Sequence, residues 1–375
     1  MPSPTDFNLS PYFDDFSESK KFHRVLFRPA FAVQARELTQ SQTQLQNQLE
    51  RLGDHMFKHG SMVIPGNIGL DLEYYAVKLT SIASGNTLAQ FTTGTLLTGG
   101  TSGVIAEIVG TDALSGSDPD TLYVKYNKTG TNNTAAVFSD GETITGTNSD
   151  SVALSAVVST STVGSAATIK QGVYYINGFY VQNDDETLVL DKYTNTPSYR
   201  IGFTITESFV TPNDDATLND NATGSSNVNA PGAHRFKIQL TLAKKTLAST
   251  EDSTFVELMR VENGEIKAQA RATEYNILGD TLARRTFDES GDYALQNPEF
   301  EVRENLLSGN NRGIKTSGDG GLETKLSIGV SPFKAYVSGY ENEILSTTFV
   351  DVDKARDTED ANNNKTRFNV KNFVN

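Results

Sequence analysis

The sequence predicts a mainly β protein with one long N-terminal α-helix, α+β overall. Its core is expected to be an antiparallel β-sandwich or barrel, with a small all-β domain inserted. Three observations carry this expectation. Most apolar residues fall in short runs that alternate with polar ones and end at Gly, Asn, Asp or Pro. One stretch, "ELTQSQTQLQNQLERL" at 37–52, instead repeats its leucines at helical spacing. From Ser81 to about Gly164 the composition shifts to Thr, Ser, Gly and Ala with few charges. At 375 residues the chain is long enough to hold more than one core.

Residues 1–30 read as an extended arm. Phe7, Tyr12, Phe13, Phe16, Phe22 and Phe27 are spread among polar residues. Phe13, Phe16, Phe22 and Phe27 are the candidate anchors for docking on a neighbouring surface; the alternative is an ordinary N-terminal strand. The helix is expected over 31–59, because Pro29 permits a start and Gly53 and Gly60 bracket the end. Phe31, Ala35, Leu38, Gln42, Leu45, Leu49, Leu52 and Met56 follow steps of four and three. That is a heptad, with Leu38, Leu45 and Leu52 at one core position and Ala35, Gln42, Leu49 and Met56 at the other. The remaining positions are mostly Gln, Thr, Ser and Asn. Two readings follow: a helix resting on its own β domain, or a seam between copies. In a seam of three, Gln42 side chains could hydrogen-bond around the axis and fix register.

Residues 60–80 and 165–350 are expected to form one discontinuous β core. The first part turns at Pro65-Gly66. Between them, 81–164 contains "GVIAEIV", "DTLYVKY", "GETITG" and "VALSAVV", strand-like runs separated by Gly and Asp turns, so it reads as the inserted small β domain. Asn177-Gly178 and Asn263-Gly264 each separate apolar runs by two residues suited to positive φ, the signature of a tight hairpin. Ser338-Gly339 echoes the first of these, which suggests two related hairpins paired in one fold. A long Asn/Asp/Gly loop is expected over 206–235. "TEYNILGDTLARRTFDESGDYAL" should start as a helix and pass through Gly291 into the strand "FEVRENLL". Residues 351–375, polar and Asn-rich, read as a C-terminal arm or a junction to further chain.

The chemistry that these residues permit is limited. There is no cysteine, so disulfides and thiolate metal sites are excluded. His55 and His59 stand four apart, but Met56 occupies the place where a zinc protease carries its general base. Acidic pairs such as Asp14-Asp15, Asp184-Asp185 and Asp214-Asp215 lie in loop-like sequence without the spacing of a calcium loop. No phosphate-binding loop or nucleophile elbow is present. The expectation is therefore no catalytic, cofactor-binding or metal residue, and no enzyme. A net charge of −14 argues against nucleic acid, and no apolar run approaches the roughly 18 residues of a membrane span.

Several long strings resemble the tail and baseplate structural proteins of contractile-tailed cyanophages. They are "FHRVLFRPAFAVQARELTQSQTQLQNQLERLGDHMFKHGSMVIPG" (22–66), "ESFVTPNDDATLNDNATGSSNVNAPGAHRFKI" (207–238), "YNILGDTLARRTFDESGDYAL" (275–295), "AYVSGYENEI" (335–344) and "DVDKARDTED" (351–360). The stretch 81–164 lies outside the resemblance and looks like a lineage-specific insertion. The resemblance implies a non-enzymatic virion component, made in the host cytoplasm, whose partners are copies of itself, as a homotrimer, and other baseplate or tail proteins. The alternative is a receptor- or glycan-binding module, with the insertion presenting Tyr123, Tyr126 and nearby polar side chains to host sugars. A depolymerase spike would require a long run of β-helix coils, which the sequence lacks.

Overall fold

The computed structural model describes residues 5–130, 133–222, 224–250, 252–270, 273–309, 311 and 313–354. The protein is mainly β: among the described residues there are 22 strands, all paired antiparallel, and two α-helices. The chain divides between Leu282 and Ala283 into two units.

The first unit opens with helix α1 (Ala35–Asp54). Its start is set by the backbone N–H of Gln34, which donates to Glu37 Oε2 at 3.0 Å, a reciprocal cap of the first turn. After β1 (Met62–Ile64) come the long β2 (Ile68–Ile82), then β3 (Leu96–Gly99), β4 (Ile105–Asp112), β5 (Thr121–Lys128), β6 (Thr143–Thr147) and the long β7 (Ala153–Ile169). Their order is β7-β2-β5-β4-β3-β6, and β6 pairs with β7 as well as with β3. The six strands thus close on themselves, β6 pairing with the first part of β7 and leaving its later part as an edge. Inward side chains fill the ring: Val77, Leu79, Leu97, Ile108, Val124, Ile144 and Val158 are among its buried core. This explains why Thr, Ser and Gly suffice elsewhere in 81–164, since only every second residue faces inward.

Glu142 pins one end of the ring. Its carboxylate accepts from the Thr101 and Ser102 N–H groups (3.0 and 2.8 Å), Ser102 Oγ (2.8 Å) and Ser139 N–H (2.7 Å). Burial alone would raise its pKa; the hydrogen bonds from Ser102, Ser139 and Thr101 outweigh that and hold it below the usual carboxylate range.

The chain continues through β8 (Val173–Ile176), β9 (Phe179–Gln182) and β10 (Glu186–Asp191), the last adding to the outer edge of β7. Next come β11 (Tyr199–Val210), β12 (Asn219–Asp220), β13 (Asn227–Pro231), β14 (Arg235–Thr246), β15 (Phe255–Glu262) and β16 (Glu265–Gln269). A second core joins these parts. Ile201, Phe203 and Ile205 of β11, Leu240 and Leu242 of β14, and Leu258 and Met259 of β15 pack with Tyr174, Ile176, Ile169 and Ile68. The β8–β9 turn has φ of 48° at Asn177 and 85° at Gly178, the left-handed pair that a two-residue hairpin requires.

Helix α2 (Asn276–Ser290) runs across the division. The second unit then holds β17 (Tyr293–Gln296), β18 (Phe300–Glu304), β19 (Lys325–Val330), β20 (Phe333–Val337), β21 (Tyr340–Ile344) and β22 (Thr348–Asp353). They form two three-stranded sheets, β17-β20-β21 and β18-β19-β22.

Four expectations need correction. The helix spans Ala35–Asp54, so Phe31 precedes it and Met56 follows it: the Gln34–Glu37 cap starts it later, and it stops where Phe57 turns in to bury itself. The core does not run unbroken over 165–350, because the chain divides at 282/283. The stretch 81–164 is not set apart from its flanks, since β2 and β7 each serve both cores within one sheet. The hairpins at 177–178 and 338–339 do not pair with each other; they belong to different sheets. Residues 351–353 continue β22, and 355–375 lie outside the described residues.

Candidate functional site

Helix α1 is amphipathic, and the sense in which it is mounted defines the site. Its polar face lies against the rest of the chain. Thr43 Oγ1 donates to Asp14 Oδ2 at 2.5 Å, and Gln40 and Arg36 reach Asp15. Asn47 Nδ2 and Arg51 Nη2 each donate to Glu18 at 2.6 Å. Positions 36, 40, 43, 47 and 51 form one stripe of the helix, so the three carboxylates of the arm run along it like a clamp. On the neighbouring flank, Gln46 Nε2 donates to the Gly178 carbonyl at 2.7 Å. Tyr175 Oη donates towards the Glu50 carbonyl and Asp54 Oδ1, both at 2.9 Å. Gly53 is buried there, in a place where a Cβ would stand 2.5 Å from the Tyr175 ring.

The opposite face carries Ala35, Leu38, Gln42, Leu45, Leu49 and Leu52, all exposed. Leu45 is 67% accessible and Leu52 60%. An exposed leucine is ordinary, but four leucines in register on one helix are a patch. The positions that flank it, Thr39, Ser41, Gln46, Gln48 and Gly53, carry no charge. Met56, beyond the helix end, is half-buried.

The N-terminal arm is anchored in a way the sequence did not reveal. Phe7 and Tyr12, rather than the four candidate anchors, hold the arm to its own chain. Phe7 meets Phe236 edge-on at 5.0 Å, and Tyr12 stacks on Phe209 at 5.0 Å with its hydroxyl 2.7 Å from His234 Nδ1. Phe13, Phe22 and Phe27 stay exposed, as do Phe31, Leu26 and Val33, while Phe16 is half-buried. Nothing in the local sequence separates Phe7 from Phe13; only the position of Phe209 and Phe236, some two hundred residues on, does so.

The clamp should loosen in acid. The hydrogen bond from Lys20, aided by Arg36 and Gln40, lowers the Asp15 pKa, and those from Asn47 and Arg51 lower that of Glu18. A depressed carboxylate contributes stability above its unfolded value, near 4, and loses it as pH falls through the folded value. Amides 14–20 should therefore exchange faster at pH 3 than the intrinsic pH dependence allows, with no such excess at pH 6. Equal protection at both would show that the carboxylates do not hold the arm.

The other candidate side chains are engaged in contacts within the chain. His55 Nδ1 lies 2.7 Å from the Arg51 carbonyl, and His59 contacts the Ser253 carbonyl at 3.2 Å and accepts from Asn177 N–H at 3.3 Å. Tyr123 is only 5% accessible, and Tyr126 shares a 2.7 Å hydrogen bond with Ser161 while accepting from Phe138 N–H. Tyr126, half-buried, packs against the core of the ring formed by β2–β7, whereas Tyr123 lies on the opposite face of β5, buried with Tyr74, Ala76 and Ala166. A pocket of about 490 Å³ is lined by Lys58, His59, Glu257 and Glu274, among others. Its charges are already engaged: Lys58 with Asp280, Glu257 with Arg200 and Arg260, and Glu274 with the Met62 N–H.

A family model described as a domain of unknown function (DUF4815) matches residues 10–95 and 112–373. Only 96–111, which carry β3 and most of β4, interrupt the match, so the expectation that all of 81–164 stands apart is corrected. No curated protein and no solved structure matches the chain.

Proposed function

Taking as premise that the chain belongs to the DUF4815 family, we propose that it is a non-enzymatic structural protein of a tailed-phage virion. It stands in the baseplate or tail-fibre attachment region, docks neighbouring tail proteins and associates with copies of itself through α1 as a homotrimer. One observation carries the self-association: the leucine stripe of α1 faces away from its own chain, while the polar face is consumed by Asp14, Asp15, Glu18 and Gly178. An apolar stripe of this length gains stability only when another surface covers it. Its uncharged flanks suit identical copies, which would otherwise repel in a chain of net charge −14. Gln42 at the centre of the stripe supplies the polar core position that sets register. The virion setting rests on the resemblance of 22–66, 207–238, 275–295, 335–344 and 351–360 to tail proteins. The same reading takes the first unit's core as an antiparallel β-sandwich or barrel, with α1 its one long helix and 81–164 as its insertion.

Two measurements test it. Light scattering on the full chain at micromolar concentration should give three times the chain mass, and a monomer would sink the seam. Labelling of intact phage particles with an antibody to this chain should mark the distal tail; labelling elsewhere, or none, would sink the virion role.

A further inference from the structure

The second unit repeats the inversion seen at α1. In the sheet β18-β19-β22, Phe300 pairs with Val330, Val302 with Ile328, and Glu304 with Leu326; on the other side Ile328 pairs with Val350 and Leu326 with Val352. Paired residues in an antiparallel sheet project to the same face. One face therefore carries Phe300, Val302, Leu326, Ile328, Val350 and Val352, with Val330 at its end. The other carries Ser327, Gly329, Phe349 and Asp351; there Ser327 and Gly329 are buried and Phe349 is half-buried, while Asp351 and Glu301 stay exposed. Asn305, fully buried, donates to Ser327 Oγ at 2.8 Å and to Asp351 Oδ1 at 2.9 Å, and accepts from Leu322 N–H at 2.8 Å. The apolar face is open along its two outer strands, with Phe300 69% and Val302 61% accessible and Val350 and Val352 exposed, while Leu326 and Ile328 between them are half-buried.

This inversion leaves the unit without a core of its own. Among the described residues from 283 onward, the only buried hydrophobic side chain is that of Ala283. A β unit is stabilised mainly by the apolar area it buries, so this one needs an outside surface in order to stay folded. We propose that this face is covered by the β18-β19-β22 faces of the other copies of this chain, meeting around the oligomer axis, so that the second units share a core across the oligomer.

Area decides for a copy over a foreign partner. Three strands about 4.8 Å apart and five residues long give a footprint of roughly 250 Å². That is far below the roughly 800 Å² per partner of a stand-alone interface. Such a patch cannot recruit a separate protein, but it is sufficient as the second contact between chains already joined, where the effective concentration is high. The seam at α1 provides that first contact, so the inference rests on the self-association proposed above. Charge agrees: apart from Glu304 at its edge the face is neutral, so identical copies meet without repulsion.

The lack of cysteine in the chain gives a clean test. Val302→Cys places a single thiol on the open face, and Glu301→Cys places one on the opposite face of the same strand. Each full-length variant is treated with a short bismaleimide and run on a denaturing gel. Val302→Cys should yield covalent multimers at least tenfold more efficiently than Glu301→Cys. Equal cross-linking in protein that light scattering shows to be trimeric would overturn the shared core while leaving the α1 seam standing. Monomeric wild-type protein would overturn the seam itself. Hydrogen exchange gives a second readout free of substitutions: residues 300–304, 325–330 and 348–353 should be protected in the oligomer and exchange at least tenfold faster on dilution to monomer. Unchanged protection on dilution would overturn the proposal.

Discussion

Replacing Leu45 and Leu49 together by aspartate should turn the full-length chain into a monomer without unfolding its first unit. Both side chains are exposed in the single chain, so their loss removes no intrachain packing, and the stability of the first unit should change by no more than about 0.5 kcal/mol each. In a seam of identical helices, however, every copy would bring two carboxylates into an apolar, self-facing stripe. Burying such unpaired charges costs several kcal/mol, which weakens association by at least about a hundredfold. Hydrogen-exchange protection of the first unit should stay close to wild type, while light scattering should fall to the mass of one chain. Unchanged mass would exclude α1 as the seam. Substituting Gln42 by leucine is the complementary change: it should strengthen association but relax the number of copies, because the one polar position in the stripe is lost.

Gly53→Val should have the largest effect on stability. The position is buried, and a Cβ there would sit 2.5 Å from Cε2 and 2.6 Å from Oη of Tyr175. The tyrosine cannot swing aside, because it is fully buried and tied to Glu50 and Asp54 by its hydroxyl. Overpacking plus the loss of those hydrogen bonds should cost about 2–4 kcal/mol, seen as a drop of several degrees in the melting temperature. Because the helix is pushed from its seat, the seam should weaken too. Gly279→Ala is the control: it lies within α2, nothing stands within 4 Å of its Cβ position, and its φ is not positive. That change should stabilise, by up to about 1 kcal/mol, through helix propensity alone. If Gly53→Val melts like wild type, Gly53 is not the point of close approach on which α1 is seated.

Much of the fold was legible because its signals are local. Asn177-Gly178, Asn263-Gly264 and Ser338-Gly339 each sit at a two-residue turn with positive φ at both positions, since the steric preference that permits this belongs to the residues themselves. The alternation in 81–164 likewise shows which residues can face inward. That β6 would close back onto β7 was not legible, because closure depends on the twist and stagger of six strands together. Nor was the division at 282/283, which falls inside α2, where no change of composition marks it.

For α1 the sequence alone determined that a helix forms and which residues share its apolar stripe, because a period near 3.6 is a property of the chain itself. It could not determine which way the stripe points. That was decided by Asp14, Asp15 and Glu18 on one side and Tyr175 and Gly178 on the other. The tertiary fold brings these groups to the polar face, where hydrogen bonds to charged acceptors and the close approach at Gly53 seat the helix and leave its four leucines facing outward.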